Sequence, residues 1–286
     1  MSGPPVFRRD YGMRYRNSLL SILVAAVSAC NGESGTTAPK PPVPPEPAVL
    51  LRDIVISGLP SPYYHFEYDA AGRVVAASFA SGLTAYDVVY DGGKISELRN
   101  TAIQNGTRLA YLYDDAGRVS LVKYLDANGL VFTTVFLSYD GQQLTGLERD
   151  RRVDGGFIID KTMALSYYAD GNLREITEHR PPVDGEQTES TTIDRFEQYD
   201  DNINVDGFSL IHDDFFDHLI LLPGVRLQKG NPARQTHSGD GLNFAVDYSY
   251  TYDDKNRPLA KTGAVVLLDG ADAGRRFQTN SVFSYY

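Results

Sequence analysis

The side chains of this sequence best suited to chemistry are aspartates that directly follow a tyrosine: Asp69, Asp91, Asp114, Asp140 and Asp253. A carboxylate can act as a general acid or base, or as a ligand for a cation. Each of these aspartates, however, begins a short polar stretch with Gly or Asn between two apolar runs. Aspartate in that position bonds to its own backbone two residues later and starts a turn. We therefore predict structural, not catalytic, carboxylates.

A second group of oxygen-bearing side chains imitates a calcium-binding loop. Asn202, Asn204, Asp206 and, at the twelfth position, Asp213 have the spacing of an EF-hand. That loop uses Asp at its first position and a bidentate Glu at its twelfth, and both are replaced here. We predict a turn at this place and no metal site.

Sequence motifs for known catalytic machinery are absent: there is no Gly-x-Ser-x-Gly elbow, phosphate-binding Walker loop or His-Glu-x-x-His. The five histidines are His65, His179, His212, His218 and His237, and we interpret them as surface residues. We expect no cofactor. A pair of carboxylates for glycoside hydrolysis is defined in space and not in sequence, so a hydrolase remains an alternative.

The single cysteine follows a segment with the layout of a secretory signal peptide. Arg14 and Arg16 precede an apolar run, residues 19–27, that is too short to span a bilayer. Small residues then lead to the thiol in the order Val27, Ser28, Ala29 and Cys30. A buried free thiol in an N-terminal strand is the alternative interpretation.

This tetrapeptide resembles the lipobox of bacterial lipoproteins. The resemblance implies cleavage after residue 29 and attachment of lipid to Cys30, in a signal peptide that begins at Met1 or Met13. Several acyl chains anchor a protein stably where a single one does not. Asn31 is not the Asp of the inner-membrane retention signal, which favours the outer membrane or the cell surface.

Residues 30–48 change from Gly and Ser to Pro, a composition typical of a disordered tether with a stiff end. A proline-rich recognition segment is the alternative. We therefore divide the chain into a signal peptide at residues 1–29, a tether at 30–48 and a folded domain at 49–286.

The tyrosine-aspartate marker repeats throughout the folded domain. Its tyrosines are Tyr68, Tyr90, Tyr113, Tyr139, Tyr199 and Tyr252, with a degenerate copy at Tyr167. From Tyr68 to Tyr199 the intervals are 22, 23, 26, 28 and 32 residues, a recurrence typical of a repeat array. Two strands and two turns fill such an interval. Gly72 and Gly117 supply the positive φ that these turns need.

Composition agrees with strands. The chain of 286 residues has 19 Tyr and 13 Phe but no Trp, and aromatic residues favour a pleated surface. Its net charge of −10 opposes nucleic-acid binding, which needs basic surface.

The array resembles the YD or RHS repeats of bacterial surface proteins, and with the lipobox it is most similar to Bacteroidota lipoproteins of the DUF4595 type. The best local match runs from Tyr199 through Asn231-Pro232 to the hairpin at Tyr252. The resemblance implies a long curled antiparallel sheet, described as porin-like, with no assigned activity. We predict an all-β fold in which this meander is an open or half-barrel sheet.

One helix is expected to interrupt the sheet. Ile211, Phe215, Leu219 and Leu222 recur at helical spacing, and Pro223-Gly224 ends the run. We interpret residues 210–222 as a helix that covers apolar surface at one end of the sheet; a helix that binds a partner is the alternative.

The favoured function is a lipid-anchored cell-envelope protein that acts as a non-catalytic binding or structural module for an unknown protein or glycan. The alternatives are a secreted glycan-acting hydrolase, a shell fragment of an RHS toxin system and an integral outer-membrane barrel. A lipid-facing strand needs an uninterrupted apolar face, whereas charges at Arg99, Lys123, Glu148, Arg149, Glu175 and Glu178 fall on both strand faces. We therefore predict a sheet beside the membrane and not within it.

Overall fold

A computed structural model describes residues 49–103, 106–183, 185–212 and 219–286. These residues form sixteen β-strands and one short 3₁₀ helix, Gly207–Leu210. The first eight strands are β1 Leu51–Ile56, β2 Tyr64–Tyr68, β3 Val74–Phe79, β4 Thr84–Asp91, β5 Lys94–Asn100, β6 Arg108–Tyr113, β7 Val119–Leu125 and β8 Val131–Asp140. The others are β9 Gln143–Val153, β10 Gly156–Tyr167, β11 Leu173–Arg180, β12 Ser190–Tyr199, β13 Pro232–Gly239, β14 Phe244–Tyr252, β15 Pro258–Leu267 and β16 Arg276–Tyr285.

The sheet closes into a barrel in which every strand pairs antiparallel with its neighbours in sequence. β1 completes the circle by pairing with β16, so that Ile54 lies opposite Phe283. The predicted open or half-barrel sheet is therefore wrong, although the strands form a continuous antiparallel meander. Closure depends on tilt and stagger accumulated over all the strands, which no local sequence pattern specifies.

Two ends of the barrel differ in their connections. The turns after the even-numbered strands carry the tyrosine-aspartate repeats, and we call this the tyrosine end. The loops after the odd-numbered strands form the opposite end, which we call the mouth. The described chain enters at the tyrosine end, where the Tyr286 backbone N–H donates a hydrogen bond to the Leu50 carbonyl (3.1 Å).

The apolar core lies inside the barrel. Side chains alternate along each strand, and inward positions such as Leu98, Val122 and Val135 are fully buried. The outer wall carries ion pairs between adjacent strands, including Arg195–Glu175 (2.7 Å) and Arg234–Asp247 (2.9 Å). These charged pairs interrupt the apolar outer surface that a lipid-facing barrel needs, although Leu112, Phe136 and Val282 are also exposed on that wall.

The segment between β12 and β13 enters the barrel from the tyrosine end. Its described parts, residues 200–212 and 219–231, are called the plug. The Phe208 ring packs edge-on against Tyr64 at 4.9 Å and Phe66 at 5.4 Å. From the other wall, the Tyr111 hydroxyl donates a hydrogen bond to the Leu221 carbonyl (2.7 Å). The plug thus fills the lumen at this end.

The predicted helix at residues 210–222 is wrong. Its described residues include only the end of the 3₁₀ turn, and Leu219–Leu222 has no helical structure; residues 213–218, with Phe215, lie outside the described ones. Leu219 and Ile220 are adjacent in sequence, and both side chains are buried inside the barrel. The spacing of the apolar residues in this segment therefore reflects contacts on several of its sides and not one amphipathic helix face. Among the described residues, no helix has the length and apolar character needed to cross a bilayer.

Candidate ligand-binding cavity

The predicted turn aspartates lie at the tyrosine end. The Asp69, Asp114 and Asp253 carboxylates each accept backbone N–H groups of their own turn and pair with the arginine four residues later. The three ion pairs, to Arg73, Arg118 and Arg257, are all 2.7 Å long. Hydrogen bonds from these turns hold the pKa of the carboxyls below the usual value.

The markers at Tyr90 and Tyr139 form tighter hairpins. Asp91 and Asp140 are the last residues of β4 and β8 and lie opposite Lys94 and Gln143, so the turns themselves begin one residue later. Gly92 and Gly141 both have φ of +55° in these hairpins. In the longer turns the corresponding glycines are Gly72 (φ +74°) and Gly117 (φ +81°).

The repeat tyrosines connect successive repeats of the barrel through hydrogen bonds. All of their hydroxyls except that of Tyr252 donate a hydrogen bond to the carbonyl of a residue at the start of a strand in the preceding unit, as in Tyr90 to Val74 (2.8 Å) and Tyr113 to Ile95 (2.8 Å). The Tyr68 hydroxyl reaches Leu51 at 2.9 Å, and that of Tyr252 contacts the Asp200 carboxylate. The polar groups of the tyrosine end therefore have a structural role, through these hydrogen bonds and the turn ion pairs.

His212, expected at the surface, is buried instead, and its Nδ1 lies 2.8 Å from the Tyr64 hydroxyl. Val27, Ser28, Ala29 and Cys30 lie outside the described residues, as does Asp213 of the calcium-like loop. Within that loop, Asp206 pairs with the ammonium of Lys261 at 2.9 Å, and the side-chain Oδ1 of Asn204 accepts the Gly207 backbone N–H at 2.9 Å. No group of three potential metal-ligating side chains occurs in the described part of the chain.

A cavity of about 770 Å³ occupies the lumen at the mouth, opposite the plug. Strands β4 to β11 and their mouth loops build it. The described residues that line it include five arginines and two acidic residues, on a chain whose net charge is −10. They are Arg108, Arg149, Arg151, Arg152 and Arg180 with Asp160 and Glu186.

Ion pairs order the arginine wall of the cavity. The Asp160 carboxylate accepts a hydrogen bond from Nε of Arg149 (2.9 Å) and lies 3.3 Å from Nε of Arg151. Asp160 occupies a bulge in β10, so it turns inward between Ile159 and Lys161. Burial, followed by the negative charge of Asp160, raises the pKa of Asp150 on the adjacent strand.

A second charged group lies beside this wall. Lys161 is completely buried, and its ammonium is 3.4 Å from the Glu178 carboxylate. Glu178 also accepts a hydrogen bond from Nε of Arg180 at 2.5 Å. These buried pairs hold the wall's side chains in fixed positions, because breaking a buried ion pair is strongly destabilising.

The adjoining wall, on β4 to β8, is aromatic and apolar. Tyr86, Leu109 and Tyr124 are buried inward residues of β4, β6 and β7. The Phe132 ring packs edge-on against Tyr124 with 6.2 Å between the ring centroids. The cavity therefore has an apolar side and a cationic side.

The mouth also exposes an apolar rim. Six of its loops each present one large aliphatic side chain to solvent: Leu59, Leu83, Ile103, Leu130, Leu242 and Leu268. Ile103 also lines the cavity.

An aspartate-histidine pair lies on the outer wall. Nδ1 of His65 is 2.6 Å from Asp53, and the Ser284 hydroxyl donates a hydrogen bond to the same carboxylate at 2.8 Å. In a nucleophilic triad the serine bonds to the histidine and not to the aspartate, so these three contacts do not make one.

Sequence reasoning missed the cavity residues. From the sequence, Arg149 and Glu178 are only charges that oppose a lipid-facing sheet, but in the structure both side chains point into the barrel. The other four charges point outward: Arg99, Lys123, Glu148 and Glu175. The available signal was the run Glu148-Arg-Asp-Arg-Arg152, in which alternate arginines share one strand face. The partner Asp160 could not be assigned, because its bulge has no sequence mark.

Comparisons with known proteins show similarity in fold. A porin-like protein from Bacteroides vulgatus ATCC 8482 is 15% identical with a TM-score of 0.55, over 83% of this chain and 99% of that one. A porin-like protein from Bacteroides uniformis ATCC 8492 is 14% identical with a TM-score of 0.52, over 78% of this chain and 89% of that one. No family model and no curated protein matches the chain. Likeness at these identities shows the barrel fold alone, and the relation to the DUF4595 type stays a prediction.

Proposed function

We propose that this protein is a lipid-anchored protein of the cell envelope whose barrel binds a ligand in the mouth cavity without converting it. The observation that carries the proposal is the cavity itself. The plug fills the lumen at the tyrosine end, whereas the mouth keeps about 770 Å³ lined by ordered polar and aromatic side chains. Pockets of this volume, with a few oriented polar groups, are typical of ligand-binding sites.

The direction of the chain supports this use of the mouth. The described chain begins at the tyrosine end, so an anchor at Cys30 would attach there and leave the mouth facing away from it. An extended tether of residues 30–48 would span roughly 60 Å at about 3 Å per residue. The ligand site would then be accessible beside the membrane.

The outer wall supports a location beside the bilayer and not within it. Arg195, Glu175 and Arg234 form ion pairs on the surface that would contact hydrocarbon in a spanning barrel. The porin-like neighbours support an envelope role only through their fold.

A secreted glycan-acting hydrolase is the second candidate, because the cavity contains two carboxylates. Asp160 and Glu186 both contact Arg151, at 3.3 Å and 2.7 Å. A glycosidase needs one carboxyl as a proton donor and one as a base or nucleophile, and both groups here serve as arginine partners. Release of reducing sugar from envelope glycans that is lost in Asp160→Asn would favour the hydrolase over our proposal.

Two measurements test the proposal. Metabolic labelling with a fatty-acid analogue should mark the wild type and not Cys30→Ala, with both folded; equal labelling would contradict the anchor. Binding to an array of glycans and envelope metabolites should be lost in Thr133→Trp, which fills the cavity, and kept in Thr134→Trp, which adds the same ring to the outer wall. Ligands retained equally by both variants would contradict binding in the cavity.

A further inference from the structure

Arg151 is the arginine of the cavity wall that is oriented for a ligand. It lies on the inward face of β9, and its Nε is held 3.3 Å from the buried Asp160 carboxylate. Its side chain keeps 34% of its surface exposed. The guanidinium is thus held at Nε by a buried carboxylate, while the part-exposed side chain lines the cavity. A planar guanidinium held in this way suits a carboxylate or phosphate, which it can bind through two parallel hydrogen bonds.

The partner of Arg151 on the cavity side is an exchangeable one. Nη2 of Arg151 donates a hydrogen bond of 2.7 Å to the Glu186 carboxylate. Glu186 belongs to the loop between β11 and β12, and its side chain is 56% exposed. An exposed ion pair of this kind contributes little to stability, because water and salt screen both charges. A ligand anion can therefore take the place of the Glu186 carboxylate at small cost.

The adjoining wall, on β7 and β8 beside β9, determines what the anion is attached to. Tyr124 and Phe132 present apolar ring surface to the same cavity, with Leu109 beside them. Burying such surface against a ligand is worth about 25 cal/mol per Å². The cavity is also too large for a lone inorganic anion, which would leave this wall in contact with water.

We propose that the mouth cavity binds an organic anion, with its carboxylate or phosphate on Arg151 in place of Glu186 and its apolar or ring-shaped body against Tyr124 and Phe132. This inference rests on the proposed function, since it specifies the ligand class of the same cavity. The Glu186 carboxylate then competes with the anionic group of the ligand for Arg151.

The test uses three probes on the purified full-length protein: 2-naphthoate, its neutral amide 2-naphthamide and inorganic phosphate. Isothermal titration should give the tightest binding for 2-naphthoate, with the amide and phosphate each at least about tenfold weaker. Equal affinity for naphthoate and naphthamide would overturn the role of the charge. Equal affinity for naphthoate and phosphate would overturn the role of the apolar wall.

Two substitutions should change naphthoate binding in opposite directions. Arg151→Gln should weaken it about tenfold and leave naphthamide unaffected. Glu186→Gln should strengthen it severalfold, and because Glu186 is exposed this variant keeps the fold even if Arg151→Gln does not. Arg99→Gln is the matched control: it removes an arginine of the outer wall, paired with Glu97 at 2.9 Å, and should change nothing.

Failure of this inference is distinguishable from failure of the proposed function. Absent naphthoate binding, or binding that neither Arg151→Gln nor Glu186→Gln changes, would overturn the anion site. The cavity would still be a ligand site if the array ligands depended on Thr133 and not on Thr134. Loss of that dependence, or of lipid at Cys30, would overturn the proposed function whatever naphthoate does.

Discussion

The hydroxyl of Tyr139 donates a hydrogen bond to the carbonyl oxygen of Val119, 2.8 Å away. The guanidinium of Arg118, the residue before Val119, lies over the Tyr139 ring at 4.8 Å from its centroid. Arg118 in turn pairs with Asp114 of the preceding turn. One tyrosine therefore connects two repeats through its ring and its hydroxyl, and the same arrangement recurs with Arg73 over Tyr90 (4.8 Å).

Tyr139→Phe should destabilise the barrel by about 1 kcal/mol, because it leaves the Val119 carbonyl without this donor and keeps the ring under Arg118. Urea unfolding monitored by circular dichroism measures the change. Tyr286→Phe is the control, since its hydroxyl makes a longer bond, 3.2 Å to the Phe66 carbonyl, from a side chain that is 60% exposed, where water can replace it. An equal loss of stability in both variants would show that the hydrogen bond to Val119 contributes no more than the exposed one.

Stability should fall on acidification because of the turn aspartates. The side-chain and backbone hydrogen bonds of Arg118 lower the pKa of Asp114. A carboxyl whose folded pKa is depressed contributes stability above its unfolded pKa of about 4, and that contribution is lost as the pH falls through the lower folded value. Asp114→Asn should therefore be less stable than wild type at pH 7, and the difference should be smaller at pH 2, below the unfolded pKa.

Asp115→Asn is the matched control for this titration. Asp115 is exposed in the same turn, so its substitution should leave the unfolding free energy unchanged at both pH values. A difference between Asp114→Asn and wild type that persists unchanged at pH 2 would contradict the ionic origin of the effect.

Alkaline conditions should destabilise the barrel through its tyrosines. Burial raises the pKa of Tyr139 to about 12, and burial together with the charge of Tyr286 raises that of Tyr68 to about 12. Between about pH 10 and pH 12 the unfolded chain loses phenolic protons that the folded chain keeps, so stability decreases as the pH rises through this range. Absorbance at 295 nm should show delayed ionisation in the folded protein. A single titration near pH 10 with the fold intact would contradict it.

Lys261→Met should destabilise the protein by about 2–3 kcal/mol, because it leaves the largely buried Asp206 carboxylate of the plug without its 2.9 Å partner. The ammonium also lies over the Tyr248 ring at 4.6 Å. Adding Asp206→Asn to Lys261→Met should recover part of the loss, as measured by a double-mutant cycle in urea. Lys255→Met, an exposed turn lysine, should stay within about 0.5 kcal/mol of wild type; a loss equal to that of Lys261→Met would contradict the plug contact.

Local patterns in the sequence predict the strands well because the information is local. Tyr113, Asp114 and Gly117 specify a turn through side-chain hydrogen bonds and a positive φ within five residues. Closure between β1 and β16 is different, since it joins residues such as Ile54 and Phe283 that are far apart in sequence. The path of the plug is also non-local: the Leu221 carbonyl accepts its hydrogen bond from Tyr111, 110 residues earlier in the chain.

The cavity was unpredictable for a related reason. Inward and outward positions on β9 follow from alternation, but Arg149 and Arg151 become a site only because the bulge at Asp160 brings a carboxylate between them. The aromatic wall comes from β4, β6 and β7. No sequence pattern in these strands, or in β9 and β10, indicates that both groups line the same cavity.

The pairing of β1 with β16 also restricts how this family of folds can change in length. In an open repeat array, a duplicated unit adds to an end and leaves the others as they were. Here a further pair of strands would widen the circumference, since barrel diameter grows with strand number. The plug would then no longer reach both Tyr64 and Tyr111, so a change in copy number would require a matching insertion between β12 and β13.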